Sequence, residues 1–133
     1  MQNSLPGTWV VVADGGAARI FHSDGLGDQL SLKQVQLLAP KDLLNEGPAG
    51  HRPSESSEHA TEEAIFAKQL AHRLNAAALK NEYEHLVLIA DPHTLGEMRP
   101  QLHKETVRRI VTEIAKTFTN APVDDIRHAL LKA

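Results

Sequence analysis

The segment TWVVVA, Thr8 to Ala13, constrains the fold most, because it is apolar on both alternating faces and rich in β-branched side chains. A half-exposed strand alternates apolar with polar residues, so this run suits a strand buried on both sides. It continues as DGGAARIF, and the two glycines raise the question of a phosphate cradle. Such a loop hands over to a helix whose N-terminus faces the anion, and the dinucleotide fingerprint needs Gly-x-Gly-x-x-Gly. Here Ile20 and Phe21 stand between Arg19 and His22, which favours a second strand. Asp14-Gly15-Gly16 therefore reads as a hairpin turn, with Gly15 and Gly16 at its tip and at least one of them expected at positive φ.

A second turn cluster, SDGLGDQ, leads into LSLKQVQLL, an alternating third strand. Leu30, Leu32, Val35 and Leu37 are its expected buried positions, arranged around an irregularity. The chain thus opens as a three-stranded antiparallel meander. Residues 40–60, PKDLLNEGPAGHRPSESSEHA, show no sustained period and read as a long flexible loop. Thr61 is placed to cap a helix running to about Lys80, with Phe66, Leu70, Leu74 and Ala77 on its apolar stripe. HLVLIAD is a second buried strand. TLGEMRPQL reads as a short helix disturbed near Gly96 and Pro100. ETVRRIVTEIAKTF fits a helical face through Val107, Ile110, Val111, Ile114 and Phe118, yet its β-branched core also fits a strand. Pro122 is placed to start a last helix. This order predicts an α/β (α+β) fold with a single mixed sheet of about five strands, in one domain spanning residues 1–133.

Composition excludes several functions. The chain has 14 Lys+Arg against 17 Asp+Glu, a formal net charge of −3, so no broad DNA-binding surface or DNA specificity is evident. It has no cysteine, which removes disulfides and thiolate metal sites. The N-terminus lacks the features of a signal peptide, and no apolar run is long enough to insert in a membrane. The cytoplasm is the expected compartment. No signature of a particular oligomeric state is present.

The carboxylates Asp14 and Asp91 each end a buried strand, where sites in α/β proteins tend to lie. Should those strands be neighbours, the pair could share Mg²⁺ and serve a hydrolase, with Glu97 the obvious third carboxylate. The competing role for Asp14 is to make the turn, and for Asp91 to cap the next segment. The eight histidines have no metal-ligand spacing, and neither His-Glu-x-x-His nor Gly-x-Ser-x-Gly occurs. No metal or other cofactor is expected. Arg52, with Gly50 and Pro53, stands ahead of the first helix, where a guanidinium on a Gly-containing loop suits RNA phosphate.

The motifs TWVVVADGGAARIF, FAKQLAHRLNAA, HLVLIADPHTLGEMRPQL and TNAPVDDIRHAL, in this order, resemble the bacterial host-attachment protein family, "protein required for attachment to host cells". That family distantly resembles the middle domain of eukaryotic and archaeal peptide release factors. The resemblance covers nearly the whole chain. It implies a mixed sheet of ribonuclease H-like topology with helices on both sides, and it makes RRIVTEI a strand. The release-factor loop bearing Gly-Gly-Gln, which places water at the ester of peptidyl-tRNA, would fall between Gly47 and Ala60. This chain reads GPAGHRPSESSEHA there, with neither a Gly-Gly pair nor Gln. The resemblance thus implies a non-enzymatic binding protein associated with the ribosome or RNA, without peptidyl-tRNA hydrolysis. Gly47, Gly50, His51 and Arg52 are the loop positions it assigns to binding. The family name implies a part in host attachment, and the missing export signal argues that this part is indirect.

Overall fold

In the computed structural model, which describes residues 7–24, 30–43 and 58–132, β1 (Thr8–Ala13) is the middle strand of a five-stranded sheet. Its partners are β2 (Ala18–Asp24), β3 (Ser31–Leu38), β4 (His85–Ala90) and β5 (Ile110–Ala115), in the order β3-β2-β1-β4-β5. β1 to β3 form the antiparallel meander, whereas β4 pairs parallel with β1 and β5 parallel with β4. Only β2 runs against the others. This is the single mixed sheet of five strands that the order of elements predicted.

The two faces of β1 divide the core. Trp9, Val11 and Ala13 join Ile20, Leu86 and Leu88 under α1 (Glu58–Leu79) and α2 (Pro92–Met98), which contribute Phe66, Leu70, Leu74, Leu95 and Met98. Val10 and Val12 join Phe21, Val87 and Ile89 against Ile126 of α4 (Val123–Lys132). Arg19 fastens the segment leading into α4. Its Nη1 donates to the carbonyls of Thr119 at 3.0 Å and Ala121 at 2.7 Å, and its guanidinium lies over the Phe21 ring.

Helix α1 begins at Glu58, so Thr61 lies inside the helix and is not its cap. The loop expected over residues 40–60 is shorter than that, because Pro40–Leu43 form a 3-10 helix and residues 58–60 belong to α1. The helix ends in a Schellman turn: Asn81 N donates to Ala78 O and Glu82 N to Ala77 O, with Asn81 at φ 60. Helix α2 runs through Gly96 undisturbed, and the change to a 3-10 turn at Arg99–Gln101 coincides with Pro100. The ambiguous segment proves to be both things in succession. Lys104–Arg109 form α3, and Ile110–Ala115 form β5. The strand is therefore real, but it excludes Arg108 and Arg109.

Both edge strands carry a bulge at a valine. The pairing skips Val35 between Gln34 and Gln36, and Val111 between Ile110 and Thr112. Bulges at edges discourage further strand addition. The expected irregularity in β3 is present, but Val35 and Leu37 are exposed, and it is Leu32 and the strand's last residue, Leu38, that pack on the core.

The hairpin between β1 and β2 is present, although neither Gly15 nor Gly16 has positive φ. Asp14 shapes the turn instead, its Oδ1 accepting from Gly16 N at 2.8 Å and Ala17 N at 2.9 Å. Positive φ falls at Gly7, whose carbonyl accepts from Glu84 N. Gly15 is required for a different reason. A Cβ there would lie 2.5 Å from Glu63 Cγ and 2.8 Å from its Cβ, whereas a Cβ on Gly16 meets nothing closer than 3.8 Å. Gly15→Ala should therefore cost about 1–3 kcal/mol by overpacking, and Gly16→Ala should stay within about 0.5 kcal/mol of wild type. Equal costs in urea unfolding would show that the α1 contact does not set this turn.

Tyr83, the single tyrosine, is fully buried and donates to Leu74 O at 2.8 Å. Burial raises its hydroxyl from the ordinary 10.0 to about 12, partly offset by Thr106 and by the charge of Arg109. The folded state thus holds this proton more tightly than the unfolded chain. Its contribution is complete below pH 10 and is lost between pH 10 and about 12. A spectrophotometric titration of tyrosinate, which reports this residue alone, should have its midpoint near 12 in the folded protein. A midpoint near 10 would contradict the burial.

Candidate functional site

The parallel pairing of β1 with β4, with Ala13 opposite Ala90, brings Asp14 and Asp91 to the same carboxyl rim of the sheet. The neighbouring strands needed for a shared carboxylate site are thus present. The carboxylates themselves are already engaged. Asp14 accepts two amides of its own turn. Asp91 is the N-cap of α2, accepting from Thr94 N at 3.1 Å and from Thr94 Oγ1 at 2.7 Å. Pro92 at the first helical position and buried Thr94 fix that cap locally. Glu97, half-buried, lies farther along α2. Among the described residues, no three His, Cys, Asp or Glu side chains stand together in a way that could hold a metal ion.

The described histidines are dispersed. His22 stacks on Trp9, the Nδ1 of His103 caps α3 by accepting from Glu105 N at 3.1 Å, and His128 lies 3.7 Å from Asp124. Gly47, Gly50, His51 and Arg52 lie outside the described residues. The chain on either side of them is described, and both flanks meet the carboxyl rim. Leu43 is buried in the core beneath α1, and Glu63 of α1 closes over Gly15 of the hairpin. Among the described residues, Leu43 ends the flank that follows β3, and Glu58 opens the flank that becomes α1.

Sequence reasoning missed the polar fasteners. Asn75 stands off the apolar stripe of α1 and carries no local signal of a partner. Its Nδ2 donates to Gln101 O, and its Oδ1 accepts from His103 N and Thr106 Oγ1, all at 2.7–2.8 Å. Arg109 binds the Tyr83 carbonyl, Asn81 Oδ1 at 3.0 Å and Glu105 at 3.4 Å, tying α3 to the turn after α1. Each contact joins residues more than twenty positions apart, save the one to Glu105, so no local pattern announces it.

Among the described residues, no helix is long and apolar enough to cross a membrane. No curated protein matches the chain. A solved structure described as an archaeal protein is similar at 11% identity and a TM-score of 0.47, over 95% of this chain and 33% of that one. The chain thus spans about a third of that protein's length. The model of bacterial archaeo-eukaryotic release factor family 12 matches residues 7–130, from the glycine before β1 to Leu130 of α4. The release-factor resemblance drawn from the motifs holds, and the chain belongs to the bacterial archaeo-eukaryotic release factor family 12.

Proposed function

We propose that this protein is a non-enzymatic binding domain that associates with the ribosome or RNA and does not hydrolyse peptidyl-tRNA. The observation that carries this reading is a release-factor-family chain whose loop sequence, GPAGHRPSESSEHA, holds no Gly-Gly pair and no Gln. Gly47, Gly50, His51 and Arg52 are the proposed contacts, with the Arg52 guanidinium supplying attraction to phosphate. Any part in host attachment is indirect in this reading and follows from binding in the cytoplasm. A hydrolase built on Asp14 and Asp91 is less favoured, because each carboxylate serves a local turn or cap and, among the described residues, no cluster of three potential metal ligands forms around them.

Sedimentation with ribosomes over a salt series tests the reading. Wild type should co-sediment, and Arg52→Ala should bind more weakly with a salt slope shallower by about one. Its thermal stability should match wild type. Association unchanged by deletion of residues 47–57 would reject the loop's role, and absence of wild-type association with ribosomes or RNA would reject the function.

A further inference from the structure

Helix α3 has only six residues, well short of the length at which a helix persists alone, so it depends on what fastens its two ends. At the N-terminus the Nδ1 of His103 accepts from Glu105 N at 3.1 Å. The His103 N–H donates to Asn75 Oδ1 at 2.8 Å, and Thr106 Oγ1 donates to the same oxygen at 2.7 Å. At the C-terminus Arg109 binds the Tyr83 carbonyl and Asn81 Oδ1. One of these fasteners depends on a proton. A Ser, Thr or Asn oxygen caps a helix at any ordinary pH, whereas an imidazole nitrogen accepts only while it carries no proton.

We propose that His103 makes α3 an acid-sensitive joint, in which a proton on Nδ1 removes the cap and loosens the corner between α1 and β5. The protonated ring points an N–H at the Glu105 N–H, and its charge stands at the positive end of the helix dipole. Both changes act against the helix. The charges around the cap do not reverse that direction. On α3 itself, Lys104 adds a like charge, and the Glu105 carboxylate already answers Arg108 and Arg109. On the preceding 3-10 turn, Arg99 is paired with Glu113 of β5. From α1 the contact is the neutral Asn75, with His72 one turn earlier on that face. Among the described residues, no carboxylate lies within ion-pair distance of the His103 ring. Loosening would pass inward through Thr106 and Arg109, both of which act on Tyr83. This joint is independent of the binding proposed above.

The test unfolds the full chain in urea as wild type, His103→Asn and His103→Ala, at about pH 8 and about pH 5, the range over which imidazole ordinarily takes up its proton. Every other titrating group, His72 included, is common to the three chains, so their differences isolate position 103. Asn caps a helix without titrating. At the higher pH, His103→Ala should unfold roughly five times more readily than wild type, as loss of one cap implies. At the lower pH wild type should fall to the level of His103→Ala, while His103→Asn keeps its margin over both. Amide exchange should lose protection across Thr106 to Arg109 in acidified wild type and keep it in His103→Asn. A deficit of His103→Ala that is equal at both pH values, or absent at the higher one, would overturn the inference. Where His103→Ala does not fold, wild type and His103→Asn decide alone. Their stabilities must diverge on acidification, and a constant difference between them would reject the joint.

Discussion

Val10, Val11 and Val12 keep at most 1% of their surface in contact with water, and Ala13 keeps none. Each fully buried valine contributes about 1.5–3 kcal/mol relative to exposure, but only if both faces of its strand are covered. That condition dictates the remaining architecture. One face must meet α1, α2 and the residues that lead into α3, and the other must meet α4. It also keeps β1 off the sheet's edge, so that β2 flanks it on one side and β4 on the other. The rim follows from the same pairing, since parallel β1 and β4 deliver Asp14 and Asp91 to one end.

Layers of apolar residues do not by themselves fix the angles between helices. Polar contacts across long sequence separations do that here. Asn75 holds the corner between the 3-10 turn and α3, and Arg19 holds the approach to α4. Removing one such partner leaves buried donors or acceptors unsatisfied, at about 1–3 kcal/mol each. Thr106, fully buried, depends on Asn75 in this way. These bonds explain why a helix as short as α3 persists next to an edge strand.

Much of this was legible in the sequence where the signal is local. TWVVVA and HLVLIA announce buried strands, the Asp14 turn announces the meander, and the α1 stripe from Phe66 to Ala77 lies where its period puts it. The failures share a physical cause. The pattern across Val107 to Phe118 combines one turn of helix with a strand, and only the pairing with β4 reveals the switch at Ile110. Gly15 is a glycine because Glu63 approaches from a helix some fifty residues away, which no turn rule can see. Val35 and Leu37 alternate as buried residues would, yet β3 is an edge strand and nothing among the described residues covers that part of it. At the candidate site, Asp14 and Asp91 were identifiable as strand-end carboxylates. Their engagement by local amides needed coordinates.

The chain is a release-factor-family domain, and the proposed function turns on the sequence of the loop that precedes α1. The scaffold holds the two flanks of residues 44–57 at the carboxyl rim, with its own carboxylates committed to turn and cap. Nothing in GPAGHRPSESSEHA supplies the Gly-Gly-Gln arrangement that directs water to an ester. The most direct measurement is release of labelled peptide from peptidyl-tRNA on ribosomes incubated with the purified chain. The account predicts release no faster than without the protein. Release that rises with protein concentration and disappears when residues 47–57 are deleted would contradict it.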